Sequence, residues 1–269
     1  MHTDPIHAAN RAAWNVAAGA YEAEVERDVA RLRAGELSLR APELPALREL
    51  APRCRRVIHL QCSHGQDALS LWRLGAAEVV GVDISEAMLA QARRKSDLLG
   101  APATWVRSDV VHTPQGLDGS ADLVYTGCGA LPWMMDIDAW AAVVARLLAP
   151  AGRLFVHEGH PLTWVWEPNA PEYRLREDGS GYFAREPRVD RVFPASAIEQ
   201  LTPDGEARCE AVERQWTLGQ VVTSLVRAGL AVEWLEEHPE HFWGQFPNVP
   251  PEAAARLPHT YSLLMRKSG

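Results

Sequence analysis

A chain of 269 residues, 47% hydrophobic and 23% charged, is long enough for one large α/β domain or for a core with a cap, and has the balance of a globular protein. A net charge of −8, with no basic block beyond the short Arg53-Cys54-Arg55-Arg56, disfavours a nucleic-acid partner, which needs basic surface to displace counterions from phosphates. No apolar run approaches the roughly 20 residues that span a bilayer, so no membrane partner is expected.

The first residues, Met1-His2-Thr3-Asp4-Pro5, lack the basic and apolar regions of a secretory signal. Cys54, Cys62, Cys128 and Cys209 form neither a C-x-x-C pair nor a zinc spacing. Reduced thiols, a cytoplasmic location and no metal site are the expectation.

Asp4-Pro5 opens a helical stretch carrying Trp14, Val16 and Tyr21, followed by a charged segment over 22–33. Residues 42–50 read as a short helix that stops before Pro52. Strand and helix patterns then alternate. Strands are predicted at 55–60, 78–82, 103–106, 121–125 and 152–157, and helices at 65–74, 85–99 and 136–148. Ser85 caps the second of these helices and Gly100 ends it. Alternation at this spacing predicts a right-handed, doubly wound parallel sheet. From Pro161 to Gln215, Pro, Gly, charged and aromatic residues mix without period. Such a long insertion after the fifth strand falls at the carboxyl ends of the sheet, where ligands sit, and reads as a cap.

The most informative run is Val57-Ile58-His59-Leu60-Gln61-Cys62-Ser63-His64-Gly65-Gln66-Asp67, followed by Val79-Val80-Gly81-Val82-Asp83-Ile84-Ser85-Glu86. It reads as strand, tight turn, helix and strand, ending on a carboxylate placed to take both hydroxyls of a ribose. A dinucleotide fingerprint would place glycines at 61, 63 and 66, where this chain has Gln61, Ser63 and Gln66, so a nicotinamide cofactor is disfavoured.

The same run resembles the first motif of the class I S-adenosylmethionine (SAM)-dependent methyltransferases, in the variant of a bacterial small-molecule branch. That family's glycines fall at 61, 63 and 65, of which this chain keeps Gly65. The resemblance implies a Rossmann-like sheet of seven strands in the order 3-2-1-4-5-7-6, the last antiparallel, with helices on both faces. It makes 218–228 the final helix, and 232–237 with 260–266 a closing hairpin. The expected organisation is an N-terminal helical cover (1–52), a SAM-binding core (53–160), a cap (161–215) and a completing helix and hairpin (216–269).

The implied activity is methyl transfer from SAM to a small-molecule acceptor by in-line displacement, leaving S-adenosylhomocysteine (SAH). The alternative is a protein of the same fold that binds SAM for other chemistry or for none. Which atom is methylated, and the oligomeric state, stay open.

The expected cofactor residues begin with the turn, Leu60, Gln61, Cys62, Ser63 and Gly65. Asp83 serves the ribose, Ile84 and Met88 flank the adenine, and Ser108, Asp109 and Val110 follow the third strand, with Asp109 near the adenine amino group. Tyr125-Thr126-Gly127-Cys128-Gly129-Ala130-Leu131-Pro132-Trp133 resembles the family's fourth motif. It places Thr126, Gly127 and Leu131 under the methionine part and Trp133 toward the acceptor. Trp14 and Tyr21 reach the cofactor from the N-terminal helix.

His157-Glu158-Gly159-His160-Pro161 ends the fifth strand and offers His160, or Glu158, as a general base. Trp164, His241 and Trp243 are the remaining acceptor candidates. Ten tryptophans against five phenylalanines suit an aromatic pocket for a planar or cationic acceptor.

Overall fold

The computed structural model describes residues 4–194 and 209–268, so 195–208 of the predicted cap lie outside the described residues. Helices α1 (Pro5–Glu22), α2 (Val25–Arg33) and α3 (Leu44–Leu50) come first. There follow β1 (Arg56–Leu60), α4 (Gln66–Arg73), β2 (Glu78–Asp83), α5 (Glu86–Leu99), β3 (Ala103–Arg107), β4 (Ala121–Gly127), α6 (Ile137–Leu147) and β5 (Leu148–Gly159). The cap supplies β6 (Arg188–Phe193) and β7 (Cys209–Glu213), and α7 (Leu218–Arg227), β8 (Leu230–His238), α8 (Pro251–Ala254) and β9 (Thr260–Lys267) close the chain.

Seven strands form one sheet in the order β3-β2-β1-β4-β5-β9-β8. With β8 and β9 as sixth and seventh strands, this is the expected 3-2-1-4-5-7-6. β9 runs antiparallel to both neighbours. β6 and β7 pair apart from it as a two-stranded antiparallel sheet.

The central strands β1, β2 and β4 are apolar on both sides because helices cover both faces. Ile58, Leu60, Val124 and Leu154 point to one core, shared with Trp140 and Val144 of α6 and Leu225 of α7. Val57, Leu123, Tyr125 and Phe155 point to the other, against Leu47, Leu69 and Leu89 of α3, α4 and α5. Helix starts are fixed by side chains. The Ser85 hydroxyl accepts from the Met88 amide at 3.1 Å, Asp136 caps α6 through Ala139, and Thr217 and Gln220 form a reciprocal capping box on α7.

β5 starts earlier than the sequence suggests. Ala121 pairs with Leu148 and Leu123 with Arg153, so the chain bulges over 149–152. Pro150 and Gly152 look like a turn in sequence because a bulge needs the same residues.

α1 lies outside this frame. Ala13, Ala17 and Ala18 let it approach Met88 of α5 on one side and Phe193 and Ala211 of the small sheet on the other. It therefore bridges the core and the cap.

Candidate active site

The turn after β1 keeps the backbone of a glycine-rich loop without its glycines. Gln61 and Ser63 sit at φ +57° and +50°, in the left-handed region that costs a side-chain-bearing residue about 1–2 kcal/mol. Several contacts hold them there. Gln61 Nε2 donates to the Ala130 carbonyl at 2.6 Å, the Ser63 amide donates to Asp83 Oδ2 at 2.7 Å, and the Cys62 amide donates to the Val82 carbonyl at 3.1 Å.

Gly65, at φ +78°, starts α4. A Cβ there would lie 2.5 Å from the Trp105 ring and 2.7 Å from Ala92. Its requirement is helix-on-strand packing, and it does not line the cavity beside the turn.

Asp83 ends β2 at the floor of that cavity. Its second oxygen accepts from the Ser85 amide at 2.8 Å. Burial pushes the carboxyl up to about 6, with the amides of Ser85 and Ser63 opposing. Each oxygen accepts a backbone amide, with the Ile84 backbone also close by, and the side chain lines the cavity where a ligand hydroxyl could approach.

The cavity is about 800 Å³, within the range of small-molecule sites. Its floor is built on Glu158 at the end of β5, whose carboxylate accepts from the amides of Gly129 at 2.8 Å, Leu131 at 3.0 Å and Gly159 at 2.7 Å. One side chain thus fixes the loop after β4. Within that loop Gly129, at φ +84°, lets the Trp243 ring approach so closely that a Cβ would stand 3.0 Å away.

The structure brings together Trp14, Tyr21, Gln61, Cys62, Ser63, Asp83, Ile84, Met88, Asp109, Val110, Gly127, Trp133, Trp164 and Trp243 around this cavity. Tyr21 stacks on His64 with 4.7 Å between ring centres. Trp14, Trp133 and Phe193 meet edge to face at 5.1–5.5 Å.

Asp109 is already engaged. His7 Nδ1 lies 2.8 Å from its carboxylate, and the Val111 amide donates to it at 3.2 Å.

The other expected residues line no part of the cavity. Leu60 is core, the Thr126 hydroxyl donates back to the Leu60 carbonyl, the Ser108 hydroxyl to the Asp109 carbonyl, and the Leu131 side chain packs in the core. His241 stacks on His259 at 3.6 Å between ring centres. His160 is turned away from the cavity as well. Its Nδ1 accepts from the Leu162 amide at 3.1 Å and its Nε2 meets Glu237 at 2.8 Å, so no ring nitrogen is left to take a proton.

His59 and Glu213, which the sequence reading passed over, line the cavity together with the expected Gln61. His59 is almost wholly buried, its Nδ1 has no hydrogen-bond partner, and burial lowers its pKa to about 4, so it is neutral. Gln61 Oε1 is likewise buried and unpaired. Glu213 reaches in from β7. His59 stands where an apolar strand residue would, which was the available signal. Glu213 gave none.

Residues 57–152 match the family described as a methyltransferase domain, and they fall within the Rossmann-like sheet from β1 to the start of β5. Among the relatives it resembles is a demethylmenaquinone methyltransferase of Thermus thermophilus, 37% identical over 114 residues, 42% of this chain and 50% of that protein. A trans-aconitate 2-methyltransferase of an Acidovorax species is 33% identical over 117 residues, 42% of this chain and 43% of that protein. The chain spans about half the length of these curated relatives or less. A SAM-dependent methyltransferase crystal structure from Mesorhizobium loti superposes with TM-score 0.61 at 26% identity, covering 84% of this chain and 98% of that one.

The residues present fit SAM. Asp83 suits its ribose diol. Gln61 Oε1 is a buried acceptor without a donor, and the His59 Nδ1 is also unpaired; both residues line the cavity with Asp83, where the ammonium of an amino-acid tail could donate to the Gln61 oxygen.

Proposed function

We propose that the protein is a SAM-dependent methyltransferase acting on a small molecule. The observation that carries this reading is Asp83. Its carboxylate is locked by the Ser63 and Ser85 amides at the mouth of a left-handed turn and opens on a cavity covered by α1 and the cap. When bound, the cofactor supplies an electrophilic methyl group. The chain's own work is to hold the acceptor beside it and exclude water.

In this reading Asp83 holds the ribose, Ile84, Met88 and Val110 flank the adenine, and His7 orients Asp109. Gln61, Cys62, Ser63 and Gly127 form the central floor. Trp133, Trp164 and Trp243 face the acceptor. Glu158 is a positioning residue, since its oxygens are taken up by three amides of the floor and of its own strand end.

A small-molecule acceptor is favoured over nucleic acid by the net charge of −8 and by a concave cavity of about 800 Å³. Among the described residues no helix is long and apolar enough to cross a membrane. A cytoplasmic location fits four free cysteines, two of them buried.

Calorimetric titration with SAM, SAH and NADH tests the reading. Micromolar binding of SAM and SAH without NADH is the expected result. Binding of NADH, or of neither SAM compound, would overturn it.

A further inference from the structure

The outer half of the cavity has two unlike walls. One is aromatic, made by Trp164 and Trp166 after β5 and by Phe242, Trp243 and Phe246 after β8. The other is the inner face of the small sheet. Arg188 pairs with Glu213 and Asp190 with Ala211, so these four side chains share a face, and the complete burial of Ala211 beside Ala13 and Ala17 shows that this face turns inward. Glu213 lies one step further along it, toward the loop after β4, because the next residue, Arg214, donates its amide to the Pro132 carbonyl at 2.7 Å.

Among the described residues none hydrogen-bonds the Glu213 carboxylate. Burial pushes its carboxyl up to about 7. Arg188 opposes that shift, and Asp190 and Glu158 add to it. Three arginines line the cavity: Arg40 and Arg188 are exposed, and Arg176 is committed to Asp178 at 2.9 Å, so no buried guanidinium bonds the Glu213 carboxylate among the described residues. A carboxylate with no hydrogen-bond donor among the described residues, lining the same cavity as several aromatic rings, is complementary to a cation and repels an anion.

We propose that the acceptor is an amine, held as its cation between Glu213 and the tryptophan wall, with Glu213 taking the proton that frees the nitrogen lone pair. The proton moves from the ammonium to a carboxylate oxygen, leaving a neutral amine and a neutral carboxylic acid. A carboxylate acceptor would meet repulsion there, and a neutral alcohol would leave the carboxylate without its counter-charge. This inference rests on the methyltransferase reading and deepens it.

The test is calorimetric titration of the SAH-saturated protein with three isosteric probes, benzylamine, benzyl alcohol and benzoate, at pH 8. Benzylamine is expected to bind about tenfold or more tightly than the other two, the size of a desolvated cation–π and carboxylate contact. Glu213→Gln is expected to abolish that preference while SAH affinity, measured on the same variant as proof of an intact fold, stays as in the wild type. Equal or tighter binding of the alcohol or benzoate, no benzylamine binding at millimolar concentration, or a preference that survives in Glu213→Gln would each overturn the proposal. Failure of the wild type to bind SAH, seen before any amine is added, would instead overturn the cofactor reading.

Discussion

Replacing Asp83 by alanine probes the cofactor site directly. Each carboxylate oxygen already accepts a backbone amide, at 2.7 and 2.8 Å, and the side chain lines the cavity. A ribose would add one hydroxyl to each oxygen. Hydrogen bonds to a charged acceptor contribute about 1.5–3 kcal/mol each, and water entering the space left by alanine recovers part of the loss. The net expectation is about 2–3 kcal/mol, roughly 30–150-fold in the Kd for SAH. Calorimetry at pH 7.5 reads this, with thermal denaturation checking that the turn survives the loss of its two amide acceptors.

The wild type offers a second readout. The Asp83 carboxyl titrates near 6, above its ordinary 3.8, and only the ionised form accepts both hydroxyls. SAH affinity should be full above about pH 7 and fall, approaching tenfold per unit, below pH 6. An Asp83→Ala variant that binds SAH like the wild type would refute the ribose role. A flat profile between pH 5 and 7 would refute the electrostatic argument.

Other substitutions test the scaffold. Ser63→Gly removes a left-handed serine and should raise stability by about 0.5–1 kcal/mol, a melting-temperature rise of roughly 1–4 °C by calorimetry. Gly65→Ala should do the opposite, costing about 3 kcal/mol or more in a urea titration, because its methyl group would overlap Trp105 and Ala92 in a backbone conformation that disfavours it. Lys95 and Asp28 form an ion pair at 2.7 Å with almost no exposure on either side chain, joining α5 to α2. Asp28→Ala leaves the ammonium buried and should cost about 3–5 kcal/mol, whereas Asp28→Leu combined with Lys95→Met should recover most of that.

The parallel half of the sheet was legible because β1, β2 and β4 are apolar runs bounded by Gly and Pro, and because Asp83 stands at the carboxyl end of its strand. The turn was legible only by comparison. Gln61 and Ser63 carry no local mark of left-handed backbone, and their glycine-like geometry comes from contacts to Ala130 and Asp83, 69 and 20 residues away.

The cap sheet escaped detection because Arg-Val-Asp-Arg-Val-Phe of β6 is mostly exposed and charged, and its pairing partner is β7, beyond residues 195–208. His7 and Asn10 were invisible for a related reason. On an alanine-rich helix they look like surface polars, yet they bond residues 102 and 202 positions further along. His160 was singled out because a histidine at the end of a strand beside a glycine has the address of a catalytic base, but its surroundings could not be read from the sequence. The Glu237 partner that holds it elsewhere arrives from β8.

Asn10 has a consequence for how the cover of the site holds together. Its side-chain amide donates to the Val212 carbonyl and accepts from the Val212 amide, both at 2.8 Å, which is how a neighbouring strand would treat that residue. The free edge of β7 is thus occupied by one asparagine from α1 and by the Pro132 carbonyl, which removes an open template for strand addition. The same two bonds fasten α1 to the small sheet, and residues of both line the one cavity. Displacing either element alone would have to break both bonds.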